Sequence, residues 1–346
     1  MQLQKLYATI DEFPKYLADY IDGFISKQGK QQGQGDFNEQ VEEIFDVINL
    51  TAQRDAFLHF YEIALKNRLL GKDTFFEDIE KNFLSRLSQL FGETQIMKVK
   101  GMINDIVSSK EPLNKFKEYI KTRKNREILD NRDLEICVLT KANWPQEVLA
   151  ADVCKRPNDI DTIATEFENH YTNTMVGRKI EWLLGEGNVE LIATFTKGKK
   201  TLICSVYQMC ILTALDLCIQ RKLKLGDLVE SCKLNKKQMK YYMMPLIKSK
   251  LVKREAIEDI APFDDKEFMS LNLEFTSKNR VLNIVPKKTL KGRDKKADQD
   301  QISSIRKKEL DAALVRIMKS NRRMEFADLA KEVRKVIEHF PPSDRQ

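Results

Sequence analysis

Residues 177–218 read GRKIEWLLGEGNVELIATFTKGKKTLICSVYQMCILTALDLC, and this stretch decides the fold because the apolar period changes inside it. Arg178 to Leu184 and Asn188 to Phe195 alternate apolar and polar residues on either side of Gly185-Glu186-Gly187, which predicts two strands joined as a hairpin. From Ile203 to Cys218 the spacing turns helical, with Val206, Tyr207, Cys210, Ile211, Ala214 and Leu215 following Ile203 on one side. The combination predicts a mixed α/β region.

Upstream, the spacing is helical from residue 13 to about 124. Leu17, Tyr20, Ile21 and Phe24 open it, and a Gly/Gln-rich connector follows Ser26. Asp36 with Glu39, and Thr74 with Glu77, stand at capping-box spacing before apolar stripes that include Phe37, Val41, Ile44 and Ile48, then Ile79, Phe83 and Leu87. Phe57 to Leu65, Ile96 to Val107 and Leu113 to Ile120 complete a predicted helix bundle. Between bundle and hairpin, Ile136 to Leu139 is a short apolar run closed by Trp144-Pro145, which predicts a strand, and Ile160 to Met175 is helical.

Downstream, residues 223–285 predict a winged helix: Leu228 and Val229 on one helix, and Met239, Tyr242, Met243, Leu246 and Ile247 on the next. Val252, Leu271 to Phe275 and Val281 to Val285 would supply wing strands, and Pro245 should kink or break the second helix. Ile305 to Lys319 and Phe326 to Phe340 form a last helical pair. The fold expected is therefore mainly α with a small α/β part. Its domains are a bundle (1–130), an α/β region (131–222), winged helix A (223–285), a basic flexible linker (286–304) and a truncated winged helix B (305–346).

The 346 residues are 32% charged and 42% hydrophobic, enough for two or three cored domains and against wholesale disorder. Of the net charge of +7, the stretch Lys287 to Lys308 holds +6, with nine Lys/Arg and three acids. That concentration argues against a chain-wide nucleic-acid surface. The first fifteen residues include Asp11 and Glu12, so no secretion signal is read, and Leu202 to Leu215 is too short for a membrane span. The six cysteines (137, 154, 204, 210, 218, 232) form no Cys-x-x-Cys pair and read as buried thiols of a reducing compartment.

Catalytic and cofactor patterns are weak. His59, His170 and His339 lack partners at metal-ligand spacing, which disfavours zinc. The Gly185-Glu186-Gly187 run lacks the third glycine of a dinucleotide fingerprint, and neither Gly71-Lys72-Asp73 nor Gly198-Lys199-Lys200 completes a phosphate loop. A cysteine paired with His170 as nucleophile has no spacing that tests it. Lys236, Lys237 and Lys240, with Lys248, Lys250, Lys253 and Arg254 near the wing, have the charge to meet phosphates, although a solvated face is the preferred reading. At 100° per residue, Lys319 lies half a turn from Leu310, so it faces solvent if Leu310, Leu314 and Ile317 face inward. Arg316, Arg322 and Arg323 lie near it. Nearby positive charge favours the neutral, nucleophilic amine, but an exposed lysine is commonplace.

Five ordered motifs together resemble the C-terminal region of cullins. They are Phe60-Tyr61 through Arg68-Leu69-Leu70; Val138-Leu139 with Trp144-Pro145; Gly177-Arg178-Lys179-Ile180-Glu181-Trp182; the helix with Gln208; and Val315-Arg316-Ile317-Met318-Lys319. The resemblance implies a non-catalytic scaffold without cofactor or metal, cytoplasmic or nuclear. It implies binding of a RING-box protein by strand pairing at Ile136, Cys137, Val138, Leu139, Trp144, Gly177, Arg178 and Trp182. The RING-box protein would recruit a ubiquitin-conjugating enzyme, and a ubiquitin-like modifier would attach at Lys319 through an isopeptide bond. The family's N-terminal repeats are not seen, which puts adaptor binding in question, and the last winged module stops early. Met175, Val176, Ala142 and Asn321 depart from the family pattern and suggest a divergent member. A winged-helix nucleic-acid-binding protein is the alternative, and a scaffold that captures its RING partner without delivering substrate is a third reading.

Overall fold

The computed structural model describes residues 10, 12–31, 37–71, 75–122, 132–145, 154–255, 263–286, 295–337 and 340. The chain divides into two compact units, residues 1–102 with 288–346, and residues 103–287.

In the first unit, α1 (Phe13–Gln31), α2 (Phe37–Leu50), α3 (Arg54–Leu70), α4 (Glu77–Phe91) and the start of α5 (Met97–Ser108) build a helix bundle, shorter than the 1–130 expected because Leu113 to Ile120 falls in the second unit. Its core includes Ile21, Ile48, Phe57, Tyr61, Leu65, Phe83 and Leu87, and the Phe83 ring lies 5.0 Å from Phe45 and 5.6 Å from Tyr61. Two expectations change here. Tyr20 points outward, and α1 runs on through part of the Gly/Gln connector to Gln31. The capping boxes rest on Asp36 and Thr74, which lie outside the described residues, and α4 starts after Phe76 without a side-chain cap.

A buried ionic knot ties α1, α3 and α4. Arg68 donates to both carboxylate oxygens of Glu80 at 2.6 and 3.2 Å and to Asp22 at 2.6 Å, with its guanidinium 5.5 Å from the Tyr61 ring. A carboxylate as deeply buried as Glu80 is tolerable only with such a bidentate partner.

The same unit contains α11 (Lys295–Asn321) and α12 (Phe326–Val336). The basic stretch from Lys295 to Lys308 is thus helical, which corrects the linker expected over 286–304; residues 287–294 lie outside the described set. A shortage of apolar residues does not preclude a helix, because nothing between 295 and 321 is Gly or Pro. Ion pairs hold it as well: buried Lys15 donates to Asp298 at 3.1 Å, and Arg306 grips Asp55 at 2.6 and 3.0 Å. Further along, Leu310, Ala313 and Ile317 pack on Val333, Ile337 and Phe340.

The second unit contains the end of α5, α6 (Lys110–Thr122) and α7 (Asn158–Thr174), then β1 (Asn188–Phe195), β2 (Gly198–Ser205) and α8 (Val206–Leu217). The hairpin exists one element later than expected. It turns at Thr196-Lys197, with Phe195 facing Gly198 across the ladder, while Gly185-Glu186 belongs to a single 3-10 turn. Gly198 carries the positive φ of 121° that an L side chain would resist.

After α8 come β3 (Lys222–Lys224), α9 (Leu225–Cys232), α10 (Lys236–Lys248), β4 (Val252–Glu255), β5 (Phe268–Leu271) and β6 (Val281–Asn283). Helix α8, strand β3, helices α9 and α10, and the antiparallel order β3-β5-β4 give a winged-helix arrangement whose first helix is α8. Strand β6 is not a wing strand. It pairs parallel with β2, from Thr201↔Val281 to Ile203↔Asn283, so the expected boundary at residue 222 is crossed by one shared core. Gln208 explains the fusion: fully buried, it caps α8 with Ser205 and donates to the carbonyls of Ile284 and Tyr242 at 2.9 and 3.3 Å. Helix α10 runs unbroken through Pro245. The proline sits in the last turn, where its missing N–H removes one bond, and buried Tyr242, Met243 and Leu246 hold the helix in place.

Candidate functional site

The residues singled out for partner binding gather beside a small aromatic core in the second unit. Phe116 and Ile120 of α6 and Phe167 and Tyr171 of α7 are buried, with the Phe116 and Phe167 rings edge to face at 5.1 Å. Against them pack Leu134, Ile136 and Val138 from one segment and Ile180 and Trp182 from another.

Both segments have strand-like alternation without a strand partner among the described residues. Asp133, Glu135 and Cys137 are exposed, while Leu134, Ile136 and Val138 face the core; Lys179 and Glu181 are exposed, while Ile180 and Trp182 turn inward. The strands expected at Ile136–Leu139 and Arg178–Leu184 are therefore absent as ladders, although the period-two reading of the side chains holds. Among the described residues, the backbone groups of 134–137 and 179–182 make no backbone hydrogen bond. The Trp182 Nε1 is buried without a partner in the same set, and the Arg156 guanidinium lies 5.6 Å from its ring.

What fixes the first segment is a clamp from α5. The Asp105 carboxylate accepts from the Thr140 amide at 2.8 Å, the Thr140 hydroxyl at 2.9 Å and the Trp144 Nε1 at 2.8 Å. Ser109 completes it: its Oγ accepts from the Val138 amide at 2.7 Å and donates to the Asp105 carbonyl at 2.5 Å. Sequence reasoning missed both residues. A signal existed, since Asp105 interrupts an apolar stripe of Met102, Ile103 and Ile106 where only a carboxylate with fixed donors is tolerable.

Individual expectations sort accordingly. Ile136, Val138 and Trp182 come together on the core, Leu139 is half-buried, and Cys137 is exposed, which corrects its reading as a buried thiol. Cys154 and Cys218 are half-buried, while Cys204, Cys210 and Cys232 are buried as expected. Trp144 is buried and spends its N–H on Asp105, so it anchors the turn and presents no surface. Gly177 is exposed with φ of 83°, and exposed Arg178 donates to the Tyr171 hydroxyl at 3.2 Å. His170 rests on the rings of Tyr119 and Phe116 at 4.4 and 5.8 Å, an aromatic environment.

In the first unit, Lys319 lies in the last turn of α11, exposed, on the side opposite buried Leu310, Ala313 and Ile317. A cavity of about 310 Å³ lies elsewhere in that unit, lined by Lys15, Phe60, Lys295, Asp298 and Arg306 among others. Its charges are spent on one another: Lys15 on Asp298, Lys295 on Glu12 and Arg306 on Asp55. Among the described residues no group of three or more His, Cys, Asp or Glu could hold a metal ion, and no helix is long and apolar enough to cross a membrane.

A bundle, a winged helix fused to a hairpin sheet and an α/β corner with unladdered strands form a distinctive order, and comparison with known proteins gives it a family. Residues 5–112 match the cullin alpha solenoid domain and residues 138–275 the cullin alpha+beta domain. The chain is 25% identical over 333 residues to Cullin-3B of Arabidopsis thaliana, covering 94% of this chain and 44% of that protein. It is 27% identical over 367 residues to Cullin-3 of Dictyostelium discoideum, covering 94% of this chain and 47% of the relative. Cullin-4 of Schizosaccharomyces pombe is 28% identical over 323 residues, covering 92% and 43%. This chain belongs to the cullin family, and it spans less than half the length of these relatives.

Proposed function

We propose that the chain is a scaffold part of a cullin-RING ubiquitin ligase, doing no bond chemistry itself and acting by holding a RING-box protein. The observation that carries this reading is the pair of extended segments, 134–138 and 180–182, which share one core and leave their backbone groups without a ladder among the described residues. An extended partner segment supplies the missing hydrogen bonds, and alternate side chains of that strand meet Ile136, Val138 and Ile180. The RING-box protein then brings a ubiquitin-conjugating enzyme close to substrate, and the gain in rate comes from proximity and orientation.

Regulation is assigned to Lys319. Its exposure at the end of α11 suits attack by the amine on the thioester of a ubiquitin-like modifier, forming an isopeptide bond and releasing the carrier thiol. Co-expression of the full chain with a RING-box protein should yield a stable co-purifying complex; a folded chain that retains no such protein refutes the reading. With the conjugation machinery present, a mass increase of one modifier should vanish in Lys319→Arg. Persistence of the shift in that variant moves the site elsewhere.

A further inference from the structure

We infer that the exposed face of α10 in the winged-helix module is a phosphate-binding face for duplex nucleic acid, a function separate from the scaffold role. Between Lys233 and Arg254 the chain has eight Lys/Arg and no Asp/Glu, while the other 324 residues hold 51 Lys/Arg against 52 acids. The net charge of +7 over the whole chain conceals where this local charge of +8 lies, and it exceeds the +6 of the stretch 287–308.

The structure shows where those cations go. Lys236 pairs with Asp265 at 2.5 Å and Arg254 with Glu267 at 2.7 Å. Lys233, Lys237, Lys240, Lys248, Lys250 and Lys253 are all exposed and have no ion-pair partner among the described residues. Lys240 lies 5.9 Å from the Phe263 ring, which orients its ammonium without neutralising it. On the helical wheel of α10, Lys240, Met244, Lys237, Lys248 and Tyr241 fall within about 100° of arc, directly opposite buried Met239, Tyr242, Met243 and Leu246. From Lys237 to Lys248 this face is about 16 Å long at 1.5 Å per residue. Glu186 is the acid felt by Tyr241, whose hydroxyl is held above its ordinary pKa by burial and then by that carboxylate.

Folding does not call for such a face. Solvated surfaces mix both signs, and like charges at i, i+3, such as Lys237 and Lys240, repel by a few tenths of a kcal/mol. An anionic partner removes that repulsion. The shape favours a duplex over other polyanions: α10 is the second helix of a helix-turn-helix, the element of winged-helix modules that enters a groove about 12 Å wide. Sequence-independent binding is expected, because Gln238 is committed to the capping box with Asn235 and no other amide or Arg on this face is available to read base edges.

The test is fluorescence anisotropy of the full chain with a labelled 20-base-pair DNA duplex between 50 and 200 mM salt. Wild type should bind with an affinity that falls steeply with salt, by about 0.9 in the logarithmic slope for each phosphate neutralised. Lys237→Gln/Lys240→Gln/Lys248→Gln should weaken binding at least tenfold at 50 mM salt and make the slope shallower by about 2 to 3. Lys307→Gln/Lys308→Gln should bind as wild type. Equal loss in the two variants, absence of binding at 50 mM salt, or equally strong displacement by charge-matched polyglutamate overturns the inference, the last in favour of an acidic protein partner. Should the triple variant lose its circular-dichroism melt, the three single variants are read instead. Retention of a RING-box protein by the triple variant keeps this result independent of the scaffold reading.

Discussion

Asp105→Ala is the substitution that isolates the clamp behind the partner-binding corner. The wild-type carboxylate accepts three hydrogen bonds of 2.8 to 2.9 Å, two from Thr140 and one from the buried Trp144 indole. A bond to a charged acceptor contributes about 1.5–3 kcal/mol, but the three are not additive. Thr140 is exposed, so water replaces the lost acceptor at its amide and hydroxyl. The Trp144 N–H has no such recourse, and an orphaned buried donor costs about 1–3 kcal/mol. The expected loss is therefore about 3 kcal/mol in the second unit. Urea unfolding followed by tryptophan fluorescence reads it directly, because the chain's two tryptophans, Trp144 and Trp182, both lie in this corner. Asp105→Asn, which keeps one acceptor oxygen, should fall between. The same change should weaken RING-box binding by at least tenfold, since Thr140 and Trp144 lose the carboxylate that anchors the end of the segment. A variant within 0.5 kcal/mol of wild type, with full partner binding, would refute the assignment of Asp105 as the clamp.

Two further outcomes test the first unit. Arg68→Ala leaves Glu80 buried without its cation and should cost about 3–5 kcal/mol in thermal unfolding, whereas Arg68→Met/Glu80→Leu, which removes both charges, should recover most of that loss. Burial holds the Glu62 carboxyl at about 7, with Lys98 opposing the rise, against about 4.5 unfolded. Its folded form retains the proton that the unfolded chain releases, so stability falls as pH rises from about 4.5 to 7 and levels off above. Glu62→Gln should remove this dependence and be more stable than wild type at pH 8, by about 3 kcal/mol at most. A wild-type profile parallel to that of the variant would show that Glu62 ionises normally.

Elements with a strong period were legible wherever one face was buried. The bundle stripes, α7 and the α10 stripe follow from residue type alone, because helical and strand spacing encode which side meets the core. The orientation of Lys319 followed from the same arithmetic on Leu310 and Ile317. Boundaries were harder: α8 begins at Val206, since Ile203 to Ser205 are claimed by the β1 and β6 ladders, a long-range preference that no local window contains.

By itself, the sequence determined a helical bundle, an α/β corner and a winged helix in that order, and named the lysine and the inward-facing residues worth testing. Only the tertiary structure decided that β6 leaves the wing to join β2, that residues 295–308 form a helix held by Lys15–Asp298 and Arg306–Asp55, and that Asp105 pins the unladdered segment. The physical reason is common to all three. Hydrophobic period is a local property, read over about ten residues, whereas ladders, buried ion pairs and carboxylate clamps join groups tens to hundreds of residues apart. The charge on α10 follows the same rule, since composition counted the lysines and only the fold set six of them, exposed and without an ion-pair partner among the described residues, on one module.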